Sequence, residues 1–80
     1  MTPSDIETFS FGRALEELRS KRRLSRVGWN GKGQYIALQV PDENSKMQLP
    51  YLYISTVDGK LVPWVVSHTD LLTDDWYIVQ

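Results

Sequence analysis

Residues 24–40 read LSRVGWNGKGQYIALQV and decide the fold, because they hold two strand-like segments on either side of a turn. The pair Asn30-Gly31 is the strongest short-range signal for a β-hairpin, since both central residues of a type I′ turn need positive φ. Apolar and polar side chains alternate over residues 35–40, and residues 24–29 suit a partner strand. The stretch therefore predicts two antiparallel strands joined by a tight turn.

The segment before this hairpin predicts a helix over residues 11–21. Its apolar side chains recur at the i, i+3, i+4 and i+7 spacing of one helical face, and they are Phe11, Ala14, Leu15 and Leu18. Ser10 is the expected N-cap, because its hydroxyl can accept a hydrogen bond from a free amide of the first turn.

The segment after the hairpin predicts further strands and turns. We expect a polar loop over residues 41–50, strands over 51–57, 60–66 and 76–79, a hairpin turn at Asp58-Gly59, and a short helical turn within 67–75. Pro63 interrupts one of these strands and indicates a sheet edge or a bulge. The fold class is α+β, with one N-terminal helix packed on a small antiparallel β-sheet and a short helical turn before the last strand. Residues 1–8 are expected to form an N-terminal arm, and residues 9–80 a single domain.

Length and composition limit how such a domain can be stabilised. The chain has 80 residues, no cysteine and one histidine, so disulfides and a zinc site are nearly excluded. A domain this small has a thin stability margin, and self-association is the remaining aid. No apolar run approaches the roughly 20 residues that span a bilayer, and the first residues lack a signal-peptide profile, which predicts a cytoplasmic protein with no membrane partner.

Charge is unevenly distributed although the formal net charge is −1. Residues 11–34 hold seven Lys or Arg and two Glu, a balance of +5, whereas residues 35–80 hold two Lys and six Asp or Glu, a balance of −4. The favoured interpretation is a solvated basic surface that pairs with an acidic segment or protomer. The alternative is a basic wall for a phosphate-bearing ligand.

Few residues suit catalysis. His68 is the single histidine, so a nucleophilic triad would have one candidate base, and a metal site would have too few strong ligands. Asp74 and Asp75 are sequence neighbours whose side chains are expected to point apart, which does not favour an acid–base pair. We therefore predict no enzymatic activity, no metal and no cofactor, and a structural hydrogen-bonding role for His68, with ligand contact as the alternative.

Aromatic residues are numerous for the length of the chain, and most of them are expected in the core or in a subunit interface. Two differ in context. Trp29 precedes a glycine-rich turn that carries Lys32, and Trp64 precedes the polar residues 67–70. A ring beside turn amides and short polar side chains suits a nucleotide, because the base stacks on the ring while amides and cations hold phosphate.

Four blocks occur in order along the chain: FGRALEEL at residues 11–18, RVGWNGKG at 26–33, VDGKLVPW at 57–64 and SHTDLLTDDW at 67–76. Together they closely resemble the Thoeris anti-defence protein 2 family of small phage and prophage proteins. The resemblance implies a sponge that binds the cyclic ADP-ribose-type (glycocyclic ADP-ribose) messenger of bacterial Thoeris immunity without cleaving it. It also implies a homo-oligomer, a tetramer with pockets between subunits, and some members are described as binding cyclic di- or trinucleotides.

The resemblance further implies which residues contact the ligand. Trp29 and Trp64 would stack on bases, with Phe11 as a third ring. Asn30, Ser67, Thr69 and Asp70 would be the polar contacts, Arg26 or Lys32 would hold phosphate, and Trp76 would be mainly structural.

Three other functions compete with the sponge. The runner-up is a protein-interaction module or a self-assembling structural protein, which would use the same charge split and aromatic surface. A cyclic-nucleotide hydrolase has only His68 and the C-terminal aspartates in its favour. Binding of a nucleic acid polymer ranks last, because the acidic part of the chain offsets the basic part.

Overall fold

The computed structural model describes residues 6–29 and 31–79. Two helices and five strands follow each other along the chain: α1 (Phe11–Arg19), β1 (Arg23–Arg26), β2 (Tyr35–Gln39), β3 (Tyr51–Ser55), β4 (Leu61–Pro63), α2 (His68–Leu72) and β5 (Trp76–Val79). Every strand pairing is antiparallel, in the order β4-β3-β2-β1-β5. The predicted α+β class is confirmed. Neither helix has the length and apolar character needed to cross a membrane.

The predicted N-terminal helix is confirmed, and its apolar face forms part of the core. The Ser10 hydroxyl accepts a hydrogen bond from the Arg13 amide at 3.5 Å, as expected of the N-cap. Ala14 and Leu18 are fully buried on the inner face. The helix ends at Arg19 and not at residue 21, because Lys21 takes the left-handed conformation with φ of 70° and turns the chain toward β1.

The core lies between α1 and one face of the sheet. Leu24 of β1 pairs with Ile36 of β2 on one side and with Ile78 of β5 on the other. Five apolar side chains form the fully buried cluster: Ala14, Leu18, Leu24, Ile36 and Trp76. Because so few residues are fully buried, each large one contributes strongly to the stability of the fold.

The tight hairpin predicted at Asn30-Gly31 is wrong in its extent. β1 ends at Arg26 and β2 begins at Tyr35, so residues 27–34 form a longer connection, and Asn30 itself lies outside the described residues. The amide of Val27 donates to the carbonyl of Asp75 at 3.1 Å, which holds this part of the chain against the start of β5. Val27 thus extends the β1–β5 pairing by one bond before the connection leads to β2.

The second predicted hairpin is confirmed. Gly59 has a positive φ of 82°, and the Thr56 amide donates to the Lys60 carbonyl at 2.8 Å across the turn. β4 is short and lies at the sheet edge, as Pro63 indicates. The predicted strand over 60–66 is therefore shortened to three residues.

The structure also shows the cap of α2 and part of the predicted N-terminal arm. Ser67 caps α2 by accepting a hydrogen bond from the Asp70 amide at 3.1 Å. Phe9 pairs with Trp76 through reciprocal backbone hydrogen bonds of 2.9 and 3.1 Å. Of the predicted arm over residues 1–8, residues 1–5 lie outside the described residues, whereas Glu7 forms an ion pair with Arg13 at 3.5 Å.

Candidate functional site

Four aromatic rings meet at the end of the sheet where β5 begins. Trp76 is fully buried at their centre, and its ring centroid lies 5.4 Å from Phe11, 5.4 Å from Trp29 and 5.9 Å from Trp64. Trp29 and Trp64 meet Trp76 edge to face, at interplanar angles of 78° and 85°. We call Phe11, Trp29, Trp64 and Trp76 the ring cluster. Its three outer rings are only partly buried, so the cluster presents aromatic surface to solvent.

Asp70 holds two rings of the cluster through their indole N–H groups. Trp29 Nε1 donates to Asp70 Oδ1 at 3.1 Å, and Trp76 Nε1 donates to the Asp70 backbone carbonyl at 2.9 Å. Asp70 is itself buried in the first turn of α2, where Ser67 caps its amide. One residue therefore fixes the orientation of a buried indole and of a partly exposed one.

Arg26 connects Asp70 to Asp75 through a two-carboxylate clamp. Its Nη1 donates to Asp70 Oδ1 at 2.8 Å, while its Nε and Nη2 donate to Asp75 Oδ1 and Oδ2 at 2.7 and 3.2 Å. We call Arg26, Asp70 and Asp75 the Arg26 clamp. All three guanidinium nitrogens are bonded to carboxylates, so a phosphate contact by Arg26 would require the clamp to rearrange.

The electrostatics of the clamp favour the charged form of every member. Hydrogen bonds from Arg26 hold the pKa of Asp75 below its ordinary value, against a smaller opposing effect of burial. At Asp70, burial alone would raise the pKa, but hydrogen bonds from Arg26, Trp29 and Ser67 together outweigh it and the pKa is lowered. The pKa of Arg26 is raised, first of all by its hydrogen bonds to Asp75. The clamp is therefore ionised at neutral pH and carries a net charge of −1.

A pocket of about 330 Å³ lies between the 27–34 connection and β5 and shares Trp29 with the ring cluster. Ser25 and Tyr77 also line it, and they alternate with Leu24 and Trp76 along their strands, so this part of the pocket lies on the sheet face opposite the core. Its lining includes Trp29, Lys32, Gln34 and Tyr77. Gly31 is required there by close packing, because a Cβ at this position would collide with the side chains of Gln34 and Val57. The connection is thus packed onto the β3–β4 turn, and it brings the Lys32 ammonium to the side of the pocket.

The structure brings most of the predicted ligand residues together. Phe11, Trp29 and Trp64 belong to the ring cluster, Asp70 and Arg26 belong to the adjoining clamp, and Lys32 lines the neighbouring pocket. Ser67 serves as the cap of α2, and Thr69 is exposed on that helix. The predicted contact of Asn30 lies outside the described residues. Ligand contact by any of them stays a prediction.

Sequence reasoning missed Asp75, which it considered only as half of an unsupported acid–base pair. A signal was present: residues 24 and 26 share one face of β1 by the alternation of a strand, and an arginine beside a core leucine needs an acidic partner. Nothing local identifies which of the six acidic residues beyond residue 34 that partner is. Within the described residues, no three His, Cys, Asp or Glu side chains are grouped as a metal ion would require.

The fold and the ring cluster define a small α+β protein whose main chemical feature is an anchored aromatic surface. Comparison with known proteins identifies the family to which the chain belongs. The family model described as Tad2-like, the Thoeris anti-defense 2-like domain, matches residues 9–79, and the chain belongs to this family. A relative from Bacillus phage SP01 named Thoeris anti-defense 2 is 36% identical over an alignment of 83 positions, gaps included, which covers 88% of this chain and 93% of the relative. The resemblance seen in the four sequence blocks is confirmed, and it supports a Thoeris anti-defence role.

Proposed function

We propose that this protein binds a cyclic ADP-ribose-type immune messenger and holds it uncleaved, so that the Thoeris effector is not activated. The observation that carries the proposal is the ring cluster, in which three partly exposed rings surround a buried, hydrogen-bonded indole. Stacking of a base on such a ring contributes about 1–3 kcal/mol. Family membership supports a role inside a bacterial host, and we propose its cytoplasm as the setting.

The distribution of cations supports a ligand with phosphate groups at the pocket. Lys32 is exposed, and it lines the pocket next to Trp29. Since Arg26 is engaged by two carboxylates, we assign the phosphate contact to Lys32 in preference to Arg26. A cyclic dinucleotide has the same combination of base and phosphate, and we include cyclic oligonucleotides among the ligands to be tested.

The chemistry of the clamp supports storage of the ligand over hydrolysis. A general acid or base works best when its pKa lies near the operating pH. The pKa values of Asp70 and Asp75 are shifted downward, away from neutrality, and both carboxylates are already bonded to Arg26. A ligand beside these groups meets fixed charges and rings, and the proposal includes no catalytic residue.

The exposed apolar residues support a homo-oligomer with ligand pockets between subunits. Leu61, Val65 and Leu72 are 61%, 89% and 83% exposed, and they flank Trp64 in the β4–α2 segment. A second copy that covers these residues would bring its own side chains next to the ring cluster. With a small core in each protomer, we propose a tetramer, in which such contacts also contribute stability.

The test is calorimetric titration with cyclic ADP-ribose, its glycocyclic isomers and cyclic dinucleotides, with Leu49→Ala as a control variant in the 41–50 loop. Binding at a fixed ratio to protomers, equal in the control, supports the proposal. A protein that binds none of these ligands but captures a specific host protein would instead be an interaction module. Appearance of a cleaved product over time would make it a hydrolase.

A further inference from the structure

We infer that Asp75 is a positioning residue of the ligand site: its side-chain hydrogen bonds go to no ring, but they fix the backbone and the arginine that orient Trp29. The inference rests on the proposed function, because it concerns the same site. It assigns a role to a residue for which the sequence analysis found none.

The Asp75 carboxylate is hydrogen-bonded to two residues that come just before Trp29, and also to Thr73. It accepts hydrogen bonds from Arg26 Nε at 2.7 Å, Arg26 Nη2 at 3.2 Å, the Gly28 amide at 3.0 Å and the Thr73 hydroxyl at 3.0 Å. A Cβ on Gly28 would lie 3.0 Å from Asp75 Oδ2, so the absence of a side chain there allows the carboxylate to approach the backbone. Asp75 thus holds the side chain of Arg26 and the backbone of Gly28, which come just before Trp29 in the chain.

A relay of hydrogen bonds carries this constraint to the indole. Arg26, fixed by Asp75, donates Nη1 to Asp70 Oδ1, and the same oxygen accepts Trp29 Nε1. The Trp29 amide also donates to the Arg26 carbonyl at 3.2 Å. Removing the charge on Asp75 would weaken the hold on Arg26, and through it the arrangement at Asp70 Oδ1 that orients the Trp29 indole.

The effect should be confined to Trp29. Trp76 donates to the Asp70 backbone carbonyl, and none of the side-chain hydrogen bonds of Asp75 goes to Trp76 or to that carbonyl. Asp75 is partly exposed and lies outside the fully buried core, so its substitution leaves the packing between α1 and the sheet intact. A positioning role therefore predicts a local change at one of the three indoles of the chain.

The experiment compares Asp75→Asn with Asp74→Asn in the full-length protein. Asp74 is the exposed neighbour, so its variant loses the same charge at the adjacent position. Nuclear magnetic resonance of the indole N–H groups, with Trp29 assigned by its absence in Trp29→Phe, is recorded without ligand. We expect Asp75→Asn to shift the Trp29 signal and to raise its exchange with solvent about tenfold, while the solvent exchange of Trp76 Nε1, and both indole signals in Asp74→Asn, stay as in the wild type.

Titration with cyclic ADP-ribose then measures the consequence for binding. We expect about tenfold weaker binding for Asp75→Asn and unchanged binding for Asp74→Asn. If Asp75→Asn does not fold, Thr73→Val, which removes one hydrogen bond to Asp75, should show the same shift with a smaller amplitude.

An unchanged Trp29 signal in a folded Asp75→Asn variant would overturn the inference, as would a shifted signal with wild-type affinity. If the wild-type protein binds none of the cyclic nucleotides, the proposed function fails, whereas the indole spectra still decide whether Asp75 orients Trp29. The two failures are thereby distinguished.

Discussion

The indole of Trp29 donates its N–H to the same carboxylate oxygen of Asp70 that accepts Arg26 Nη1, at 3.1 and 2.8 Å. A partly exposed ring outside any strand is thus tied to an ion pair between β1 and α2. Because the ring is held in place by this bond, little conformational entropy would be lost if a base stacked on it.

Replacing Trp29 by alanine should weaken binding of cyclic ADP-ribose by about 1–3 kcal/mol, the usual contribution of one stacked base. Trp29→Phe keeps a ring but loses the N–H donor, and its affinity should fall between those of the wild type and Trp29→Ala. Isothermal titration calorimetry measures both. Equal affinity of Trp29→Ala and wild type, with circular dichroism showing an intact fold, would remove Trp29 from the site.

Replacing Trp76 by alanine should destabilise the fold more than replacing Trp64. Trp76 is fully buried and contacts the other three rings of the cluster, and truncation of such a side chain costs about 3–5 kcal/mol. Trp64 is only partly buried, so Trp64→Ala should cost less free energy of unfolding. Urea denaturation of the two variants decides, and a larger loss for Trp64→Ala would contradict the assignment of Trp76 to the core.

Acid should destabilise the protein through the Arg26 clamp. The pKa values of Asp70 and Asp75 are lower in the folded chain than the ordinary carboxyl value, so unfolding takes up protons. Their contribution is complete well above the unfolded pKa of about 3.9 and is lost as the pH falls through that value toward the lower folded pKa.

Urea unfolding between pH 7 and pH 3 measures this dependence. Asp75→Asn should reduce the loss of stability on acidification, because it removes one carboxylate of the Arg26 clamp. The same pH dependence in Asp75→Asn and wild type would show that the clamp does not contribute it.

A charge placed on the β4–α2 segment should reduce the proposed oligomer to smaller species. Leu72→Asp puts a carboxylate on a side chain that is 83% exposed in the protomer, where it would be buried by a second copy. Leu49→Asp is the matched control, because Leu49 is 78% exposed in the 41–50 loop. Light scattering should give a lower mass for Leu72→Asp alone. If both variants keep the wild-type mass, the interface lies elsewhere.

The parts of the fold that the sequence predicts correctly depend on short-range interactions. Ser10 and Ser67 cap the helices that follow them directly, and Gly59 supplies the positive φ of its own turn. Arg26, the last residue of β1, is bonded to Asp75, which is 49 residues away along the chain. Residue spacing cannot identify such a partner, and the length of the 27–34 connection is therefore mispredicted.

In the candidate site, too, the sequence indicates local features but not contacts between residues that are distant along the chain. The context of Trp29 and Trp64 in the sequence indicates that they are unusual among the rings, and both lie in the ring cluster. The commitment of Arg26 to two carboxylates is a tertiary property that its sequence neighbourhood does not show. Charge patterning left a phosphate-binding wall open as an alternative, and within that alternative the structure favours Lys32 over Arg26.

The central claim is tested most directly by recovering the messenger after binding. The protein is incubated with glycocyclic ADP-ribose, separated from free ligand, heated to release what it holds, and analysed by mass spectrometry. We predict recovery of the intact cyclic molecule in a fixed ratio to protomers, and little recovery from Trp29→Ala. No retained ligand, or a linear product in its place, would contradict the account.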